Sequence, residues 1–271
     1  MNPLTLTPLS NIPLIRQGYN LADIILNSLQ DSNIALQDND IFVIAQKVVS
    51  KAEGCAVNLA TITPSIRAME IAQQIEKDPR FVELILQESN AVLRTRPGTI
   101  IVEHRLGFVC ANAGIDHSNV NSPLLAEHPD KGAEEEGLEV NVEEWVLLLP
   151  KDPDASSKKI RGEIESKAKR KVGIAIIDSH GRAWRNGTVG VAIGMSGVPG
   201  LVDLRGKNDL FGYSLRITMV GAADELAAAA SLVMGQAAEG TPVVHVRGFP
   251  YPLREGSIKE LLRPKEQDLF R

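Results

Sequence analysis

Residues 172–177 (VGIAII) form the clearest buried strand that the sequence predicts, and they run directly into the carboxylate of Asp178. Two further apolar runs, DIFVIA at residues 40–45 and VVHV at residues 243–246, have the length and the β-branched content of strands. Strands and helices alternate irregularly, so we predict an α+β fold with mixed sheets, packed helices and two sub-domains. Apolar residues at helical spacing predict helices at residues 21–29, 154–171 and 222–234.

Weaker patterns complete the predicted order of elements. The charged helix at 154–171 has Asp154 or Ser156 as its candidate cap, and its lysines gather in the C-terminal half, where the helix dipole favours cations. Residues 121–144 carry prolines and the run Glu134-Glu135-Glu136, which predicts a solvated acidic loop. The other predicted elements are an edge strand at 4–9, helices starting at Pro64 and at 80–89, β structure at 91–109, a strand at 215–220 and a polar helix or arm from 256.

Composition excludes several classes of protein. The net charge of -5 argues against a general nucleic-acid binder, which needs a basic face to displace counterions. Apolar runs are shorter than the ~20 residues that span a bilayer, and the N-terminus lacks the pattern of a signal peptide. Cys55 and Cys110 have neither zinc-site nor disulfide spacing. We therefore expect a cytoplasmic protein with two free thiols and no membrane partner.

The common nucleotide-binding motifs are absent from the sequence. A P-loop requires GxxxxGK[ST], and the nearest candidate, Gly206-Lys207-Asn208, lacks both the upstream glycine and the hydroxyl. The glycine-rich residues 187–200 do not match GxGxxG after a strand either. The fold is therefore expected to be neither Rossmann nor P-loop, and any nucleotide must be held by a less common arrangement.

Two carboxylates follow apolar runs and are candidate metal ligands. Asp116 lies in NAGIDHSN and Asp178 follows VGIAII, and hard divalent cations prefer such oxygen ligands. Each acid taken alone is equally compatible with a cap or an Asx-turn. The neighbouring His117 and His180 are interpreted as surface or second-shell residues. The candidate cations are Lys51, as a phosphate ligand or a solvated lysine, and Arg182 and Arg185, which suit a phosphate or a carboxylate.

Seven blocks of sequence, in order over residues 10–250, resemble the F-420-0:γ-glutamyl ligase family. The match is specific because none of the blocks is a generic nucleotide motif. They are IPLI at 12–15, QKVVSKAEG at 46–54, NAGIDHSNV at 112–120, LLLPKDPD at 147–154, IIDSHGRAWRNGTVGVAIGMSGV at 176–198, ADELAAAASLVMGQ at 223–236 and PVVHVRG at 242–248.

This resemblance implies a GTP-dependent amide ligase that joins L-glutamate to coenzyme F-420-0 through an acyl phosphate. It also implies one domain over residues 1–271, usually a homodimer, and two Mg²⁺ or Mn²⁺ ions, with K⁺ as a further candidate ion. Asp116 and Asp178 would hold the first metal, and Ser179 and Gln236 the second; Lys51, Asp116 and Asp178 would be catalytic. Residues that would contact GTP are Ile12, Pro13, Leu14, Ile15, Gln46, Lys47, Lys51, Asn119, Met234, Gly235, Gln236, Ala237, Ala238, Glu239, Gly240 and Thr241.

Three alternatives stay open at the level of sequence. We interpret the acidic loop at 121–144 as longer than in archaeal family members, which leaves room for a ligase of the same mechanism with another carboxylate acceptor, such as a folate-like molecule. A regulatory protein that binds nucleotide and metal without catalysis is the second alternative. The third is a dimerisation module built on the alanine-rich helix at 222–234. This alternative does not explain why acidic residues follow the predicted strands.

Overall fold

The computed structural model describes residues 3–120 and 144–269, and the predicted acidic loop at 121–144 lies outside them except for Glu144. The main sheet has five strands in the order β1-β12-β2-β8-β9. β2 and β8 are parallel, and the other neighbours are antiparallel. The strands are β1 Thr5–Pro8, β2 Ile41–Ala45, β3 Ala56–Asn58, β4 Ser89–Arg96, β5 Thr99–His104, β6 Val109–Ala111, β7 Trp145–Leu147, β8 Gly173–Arg182, β9 Arg185–Ser196, β10 Val202–Asp203, β11 Met219–Val220 and β12 Val243–Arg247.

The main sheet has a core on each face because side chains alternate along its strands. Phe42 and Ile44 of β2 pack with one set of helices, and Ile41 and Val43 pack with a helix on the opposite face. The first face meets α1 and α5, and the second meets α6. The helices are α1 Leu21–Asp31, α2 Gln46–Ala52, α3 Ile66–Ile75, α4 Pro79–Gln87, α5 Pro153–Ala168 and α6 Ala222–Met234.

A second core lies between α3, α4 and the three-stranded sheet β4-β5-β6. Phe81 and Ile85 of α4 face Ile100 and Val102 of β5 in this core. The arrangement confirms the predicted α+β fold with mixed sheets and packed helices, and it contains no Rossmann-like unit among the described residues. No helix in the described part of the chain is both long and apolar enough to cross a membrane.

The glycine-rich stretch at 187–200 lies mostly in β9, where it lets two helices approach the strand. A Cβ on Gly190 would lie 2.6 Å from the carbonyl oxygen of Ala227 in α6. A Cβ on Gly194 would lie 2.4 Å from the backbone of Pro153 in α5. On a regular strand, residues four positions apart would share a face. The pairing of β9 with β8 shifts by one residue between Ile176 and Ile177, so Gly190 and Gly194 face opposite sides of the sheet. The glycines therefore permit close packing of helices on the strand.

Several boundaries differ from the sequence prediction for identifiable reasons. α5 is capped by Asp152, whose side chain accepts from the Ala155 amide, and not by Asp154 or Ser156. Pro153 follows as the first helical residue, where its missing N–H costs nothing. Asp154 instead accepts from the amide of Met195 at 2.9 Å, which ties the helix to β9. The prediction of a cap at Asp154 or Ser156 was therefore wrong by two residues or more.

The start of α3 and two polar segments near the C-terminus also differ from the prediction. α3 begins at Ile66 with Ser65 as its cap, so Pro64 precedes the helix instead of lying in its first turn. The strand predicted at 215–220 shortens to β11, Met219–Val220, paired with β10. Past residue 256 the described chain has only the short 3-10 helices Ile258–Glu260 and Lys265–Gln267. Pro264 lies between these two short helices, and it interrupts any longer helix because it lacks an amide N–H.

Candidate active site

Asp178 lies inside β8 and not at its end, because the strand continues to Arg182 as one arm of a long hairpin with β9. β2, by contrast, ends at Ala45, which is in register with Ile177. Asp178 therefore lies level with the start of α2, one position beyond the last paired residue of β2. The edge of the sheet where β2 ends thus brings Asp178 level with Gln46 and Lys47 at the start of α2.

Asp116 reaches the same edge through a left-handed turn. Asn112, Ala113 and Gly114 have φ angles of 51°, 53° and 65°, a conformation that costs free energy at the two residues with side chains. The Asp116 amide then donates to the Leu147 carbonyl at 3.0 Å, and the Leu147 amide donates to the Asp116 carbonyl at 2.9 Å. The backbone of Asp116 is fixed at both polar atoms, so its side chain projects from a rigid position.

The two carboxylates lie close enough for the negative charge of Asp178 to act on Asp116. Burial raises the pKa of Asp116 to about 6, and the negative charge of Asp178 adds to this shift. The ammonium group of Lys47, 3.5 Å from Asp116 Oδ1, acts in the opposite direction, as does the amide of Gln46 at 2.7 Å from Oδ2. Burial and the charge of Asp178 together outweigh these two partners, and a bound cation would stabilise the ionised form of Asp116.

Ser179 and Gln236 meet across the same edge. The Ser179 hydroxyl donates to Gln236 Oε1 at 2.8 Å, although 57 residues separate them. Asn119 Nδ2 donates to the carbonyl of Ala237 at 3.2 Å, which joins the loop after Asp116 to the segment that follows α6. That segment closes on itself, since the Thr241 hydroxyl donates to the Met234 carbonyl at 3.0 Å. The residues proposed for the second metal therefore lie together.

Two lysines of α2 contribute positive charge beside the carboxylates. Lys47 Nζ donates to the hydroxyl of Ser118 at 2.8 Å and to its carbonyl at 3.1 Å. Burial lowers the pKa of Lys51, and the charge of Lys47 lowers it further. In the ranges 3–120 and 144–269, no carboxylate forms an ion pair with Lys51. A half-buried ammonium group beside a second one is placed to bind an anion.

The remaining sequence candidates differ in how near they lie to this edge. The segment holding Ile12, Pro13, Leu14 and Ile15 leads to Gly18, whose amide donates to the Ala52 carbonyl at the end of α2, one residue after Lys51. Leu14 is exposed and Ile15 is buried. Arg182 and Arg185 lie at the far end of the β8–β9 hairpin, roughly 13 Å along the strand from Asp178. These arginines do not join the carboxylates.

His180 lies beside Asp178, which is one of the two interpretations that the sequence allowed, whereas Ser50, whose hydroxyl donates to Gln46 Oε1, was not singled out from the sequence. His180 Nε2 lies 3.0 Å from Asp178 Oδ2, and its ring packs on Phe108 with centroids 5.3 Å apart. Of the two interpretations of His180, the contact favours a neighbour of the candidate site over a surface residue. His117 instead packs on Phe81, with ring centroids 4.6 Å apart and the rings tilted by 43°. The spacing i, i+2 on a strand was the available signal for His180, since such residues share a face.

Both cysteines are free, as predicted, and neither joins the site chemistry. Cys110 is buried and Cys55 is half-buried. Burial raises the pKa of Cys110 to about 12 and that of Cys55 to about 11. Both groups are therefore protonated thiols at neutral pH, which makes them poor nucleophiles and poor metal ligands.

The donor set fits Mg²⁺ or Mn²⁺. The oxygen atoms of Asp116, Asp178, Ser179 and Gln236 are the hard donors that these ions prefer, and no sulfur or imidazole nitrogen has to take part. Within the described residues no group of three or more His, Cys, Asp and Glu side chains gathers in metal-binding geometry. The protein would therefore complete an ion's coordination with neutral oxygens, water or substrate phosphates, as is usual for Mg²⁺ sites.

Comparison with known proteins identifies the family. Residues 10–248 match the family model described as F-420-0:gamma-glutamyl ligase. The chain belongs to the F-420-0:gamma-glutamyl ligase family. A relative named coenzyme F-420:L-glutamate ligase, from Methanothermobacter thermautotrophicus, is 44% identical over 99% of both chains. Relatives of the same name from Methanococcus maripaludis and Archaeoglobus fulgidus are 46% and 40% identical, over 96% and 97% of this chain and 94% and 95% of their own.

Family membership agrees with the site just described. The matched range includes α2, Asp116, the β8–β9 hairpin and the segment after α6. The matched range therefore includes the polar side chains at this edge of the sheet and the helices and strands that carry them. The relatives match over nearly their whole length, so the similarity covers the entire described fold and not one motif.

Proposed function

We propose that this protein is a GTP-dependent ligase that forms an amide between L-glutamate and coenzyme F-420-0 during the biosynthesis of coenzyme F-420. The observation that carries the proposal is the meeting of Asp116 and Asp178 in one site faced by Lys47, with Lys51 on the same helix. Metal-binding carboxylates next to phosphate-binding lysines are the parts that phosphoryl transfer requires. The name shared by the relatives supports the choice of substrates.

The side chains of this site have distinct tasks in the proposed reaction. Asp116 and Asp178 would hold one Mg²⁺ or Mn²⁺, and Ser179 and Gln236 a second. Bound divalent metal supplies neutralisation of phosphate charge and orientation of the transferred group. Lys51 binds the phosphates directly, since its amine is half-buried and no carboxylate of the described residues neutralises it. Lys47 balances Asp116 before the substrate arrives.

The chemistry balances as two substitutions. A carboxylate oxygen of F-420-0 attacks the γ-phosphorus of GTP, which forms an acyl phosphate and releases GDP. The amine of glutamate then attacks the acyl carbon, forming the amide and expelling inorganic phosphate; the amine loses its proton to solvent. No covalent bond to the enzyme is needed, which agrees with the protonated state of Cys110 and Cys55. Arg182 and Arg185 are proposed to hold a carboxylate or phosphate of a substrate at the end of the hairpin.

One assay tests this proposal directly. The protein is incubated with GTP, Mn²⁺, L-glutamate and F-420-0, and products are read by mass spectrometry together with GDP release. We expect glutamate to be added to F-420-0 with release of GDP. Parallel reactions with ATP, without metal and with a folate-like acceptor separate the alternatives. GDP release that depends only on the other acceptor would overturn the choice of F-420-0, and binding of GTP without turnover would favour a regulatory protein.

We also propose that the protein assembles as a homodimer. The segment that joins β10 to β11 exposes Leu210, Phe211 and Ile217, with exposures of 98%, 94% and 88%. Large apolar side chains clustered on one projecting segment are typical of a protein interface. Light scattering after size exclusion is expected to give twice the mass of the chain. Replacement of Leu210 and Phe211 by Glu should release monomers, while the same replacement at Leu232 on α6 serves as a control for added charge.

A further inference from the structure

Gln46 is a buried side chain whose amide has both ends occupied. It is 1% exposed, and its Nε2 donates to Asp116 Oδ2 at 2.7 Å. Its Oε1 accepts from the hydroxyl of Ser50 at 2.9 Å. An amide can be turned end for end with almost no change of shape, but its two ends have opposite hydrogen-bonding character. Because the Asp116 carboxylate can only accept, it selects the orientation in which Nε2 faces it, while Oε1 faces Ser50.

Ser50 anchors the other end of the amide. It is fully buried and lies one turn after Gln46 on α2, so the two side chains share one face of the helix. Its hydroxyl donates to Gln46 Oε1 at 2.9 Å, which restricts rotation of the amide group. In the reversed orientation, the amide oxygen would face the Asp116 carboxylate, acceptor against acceptor.

The consequence reaches the carboxylate itself. Oδ2 of Asp116 is held by Gln46, and the backbone of Asp116 is paired with Leu147 at both polar atoms. Oδ1 has a longer contact, with the Lys47 ammonium group 3.5 Å away. Asp178 also has a close neighbour, since its Oδ2 lies 3.0 Å from His180 Nε2. Asp116 thus has Oδ2 in a short hydrogen bond to Gln46 and Oδ1 in the weaker of its two contacts with the protein.

We propose that Ser50 and Gln46 form a relay that positions Asp116, so that Oδ1 is the oxygen offered to the divalent metal. The inference rests on the metal site of the proposed function and adds two positioning residues to it. It also assigns the Gln46 side chain to Asp116, which leaves only the Gln46 backbone for the nucleotide contact implied by the family resemblance. Outer partners of this kind fix ligand orientation, and their loss commonly lowers metal affinity 10- to 100-fold.

The test measures Mn²⁺ binding by electron paramagnetic resonance, with a non-hydrolysable GTP analogue present throughout. Gln46→Ala should weaken Mn²⁺ binding by about 10- to 100-fold, and Ser50→Ala by roughly 10-fold. In the double variant Ser50→Ala should add nothing, because Ser50 acts only through the Gln46 amide. In activity assays Ser50→Ala should raise the Mn²⁺ concentration needed for half-maximal rate while kcat at saturating Mn²⁺ changes by less than about threefold.

Ser157→Ala is the matched control, since Ser157 is also fully buried in a helix but bonds only the Pro153 carbonyl. Its Mn²⁺ affinity should equal that of the unmodified protein, and thermal melting checks that all variants are folded. Equal Mn²⁺ affinity in Ser50→Ala and the unmodified protein would overturn the relay. So would a full additional loss in the double variant. Absence of Mn²⁺ binding to the unmodified protein would instead remove the metal site, which is a failure of the proposed function.

Discussion

One carboxylate lies near each end of β2, the buried Asp40 and the partly buried Asp116, and their surroundings shift the pKa in opposite directions. Before the strand, Asp40 is 1% exposed and accepts from Arg247 Nε and Nη2 at 2.8 and 2.7 Å, and His245 Nε2 lies 2.9 Å away. Burial would raise the pKa of Asp40, but these partners outweigh it and hold the pKa well below its ordinary value. Past the strand, burial and Asp178 raise the pKa of Asp116 to about 6.

The difference teaches how to separate a structural acid from a functional one in this fold. Asp40 is paired with Arg247, His245 and the amide of Gln37. Its negative charge is therefore balanced within the protein, without any ligand. Asp116 has one amide, one lysine and a second carboxylate, so its site is incomplete without added positive charge. Perturbed groups of the second kind are typical of active sites. Four predictions follow from the contrast, in order of the size of the expected effect.

Asp178→Ala should lower turnover by at least about 10³-fold while the fold persists, because metal and phosphate positioning supply most of the catalysis in phosphoryl transfer. Asp116→Ala should behave in the same way. Turnover is measured as GDP release at saturating Mn²⁺, and folding by circular dichroism. Removal of metal with EDTA should reproduce the loss in the unmodified protein. Near-normal turnover in either variant would exclude that acid from the metal site.

Asp40→Ala should cost about 3–5 kcal/mol in the free energy of unfolding, because it leaves Arg247 and His245 beside a site with no counter-charge. Urea denaturation monitored by circular dichroism measures this free energy. Mn²⁺ affinity of the fraction that remains folded should be unchanged, since Asp40 lies at the other end of the strand. A cost below about 1 kcal/mol would mean that the cluster does not stabilise the sheet as its geometry indicates.

The third prediction concerns the pH dependence of stability in metal-free protein. The pKa of Asp116 rises from 3.8 to about 6 on folding. Between these values the folded protein retains a proton that the unfolded chain has released, so the free energy of unfolding falls as pH rises from about 4 to about 6. The full loss amounts to at most about 3 kcal/mol. Asp116→Asn should remove this slope.

Urea titrations at several pH values in EDTA, compared between the unmodified protein and Asp116→Asn, isolate this contribution from that of other acids. Addition of Mn²⁺ should restore stability above pH 6, where the carboxylate is ionised and binds metal best. A slope that is identical in the two proteins would show that Asp116 titrates near its ordinary value.

The smallest effect is expected at an exposed acid. Asp38→Asn removes an ion pair with Arg170 at 3.4 Å in which both side chains are about half exposed, and it keeps the side-chain oxygen that accepts from the Lys171 amide. Solvent screening limits such pairs to about 0–1 kcal/mol. The same urea measurement therefore ranks Asp38 well below Asp40. A cost at Asp38 comparable with that at Asp40 would mean that burial is not what distinguishes the two acids.

Local sequence predicted much of the fold and part of the site. The helices and strands with strong apolar periodicity formed close to where they were expected, including α1, β2, α6 and β12. The candidate carboxylates Asp116 and Asp178 were found because an acid directly after an apolar run is unusual. Capping was less predictable, since Asp152, Asp154 and Ser156 are all suitable cap residues and the packing of Asp154 on β9 decides among them.

The sequence by itself determined the α+β class, the absence of common nucleotide motifs and, through ordered blocks, the family. Only the tertiary structure decided which polar side chains meet. Gln46 and Asp116 are 70 residues apart, and Ser179 and Gln236 are 57 residues apart. Periodicity reports the burial of one segment at a time, whereas a site depends on the register of β2 against β8 and on the left-handed turn before Asp116. Those features follow from packing between distant segments, which no local pattern records.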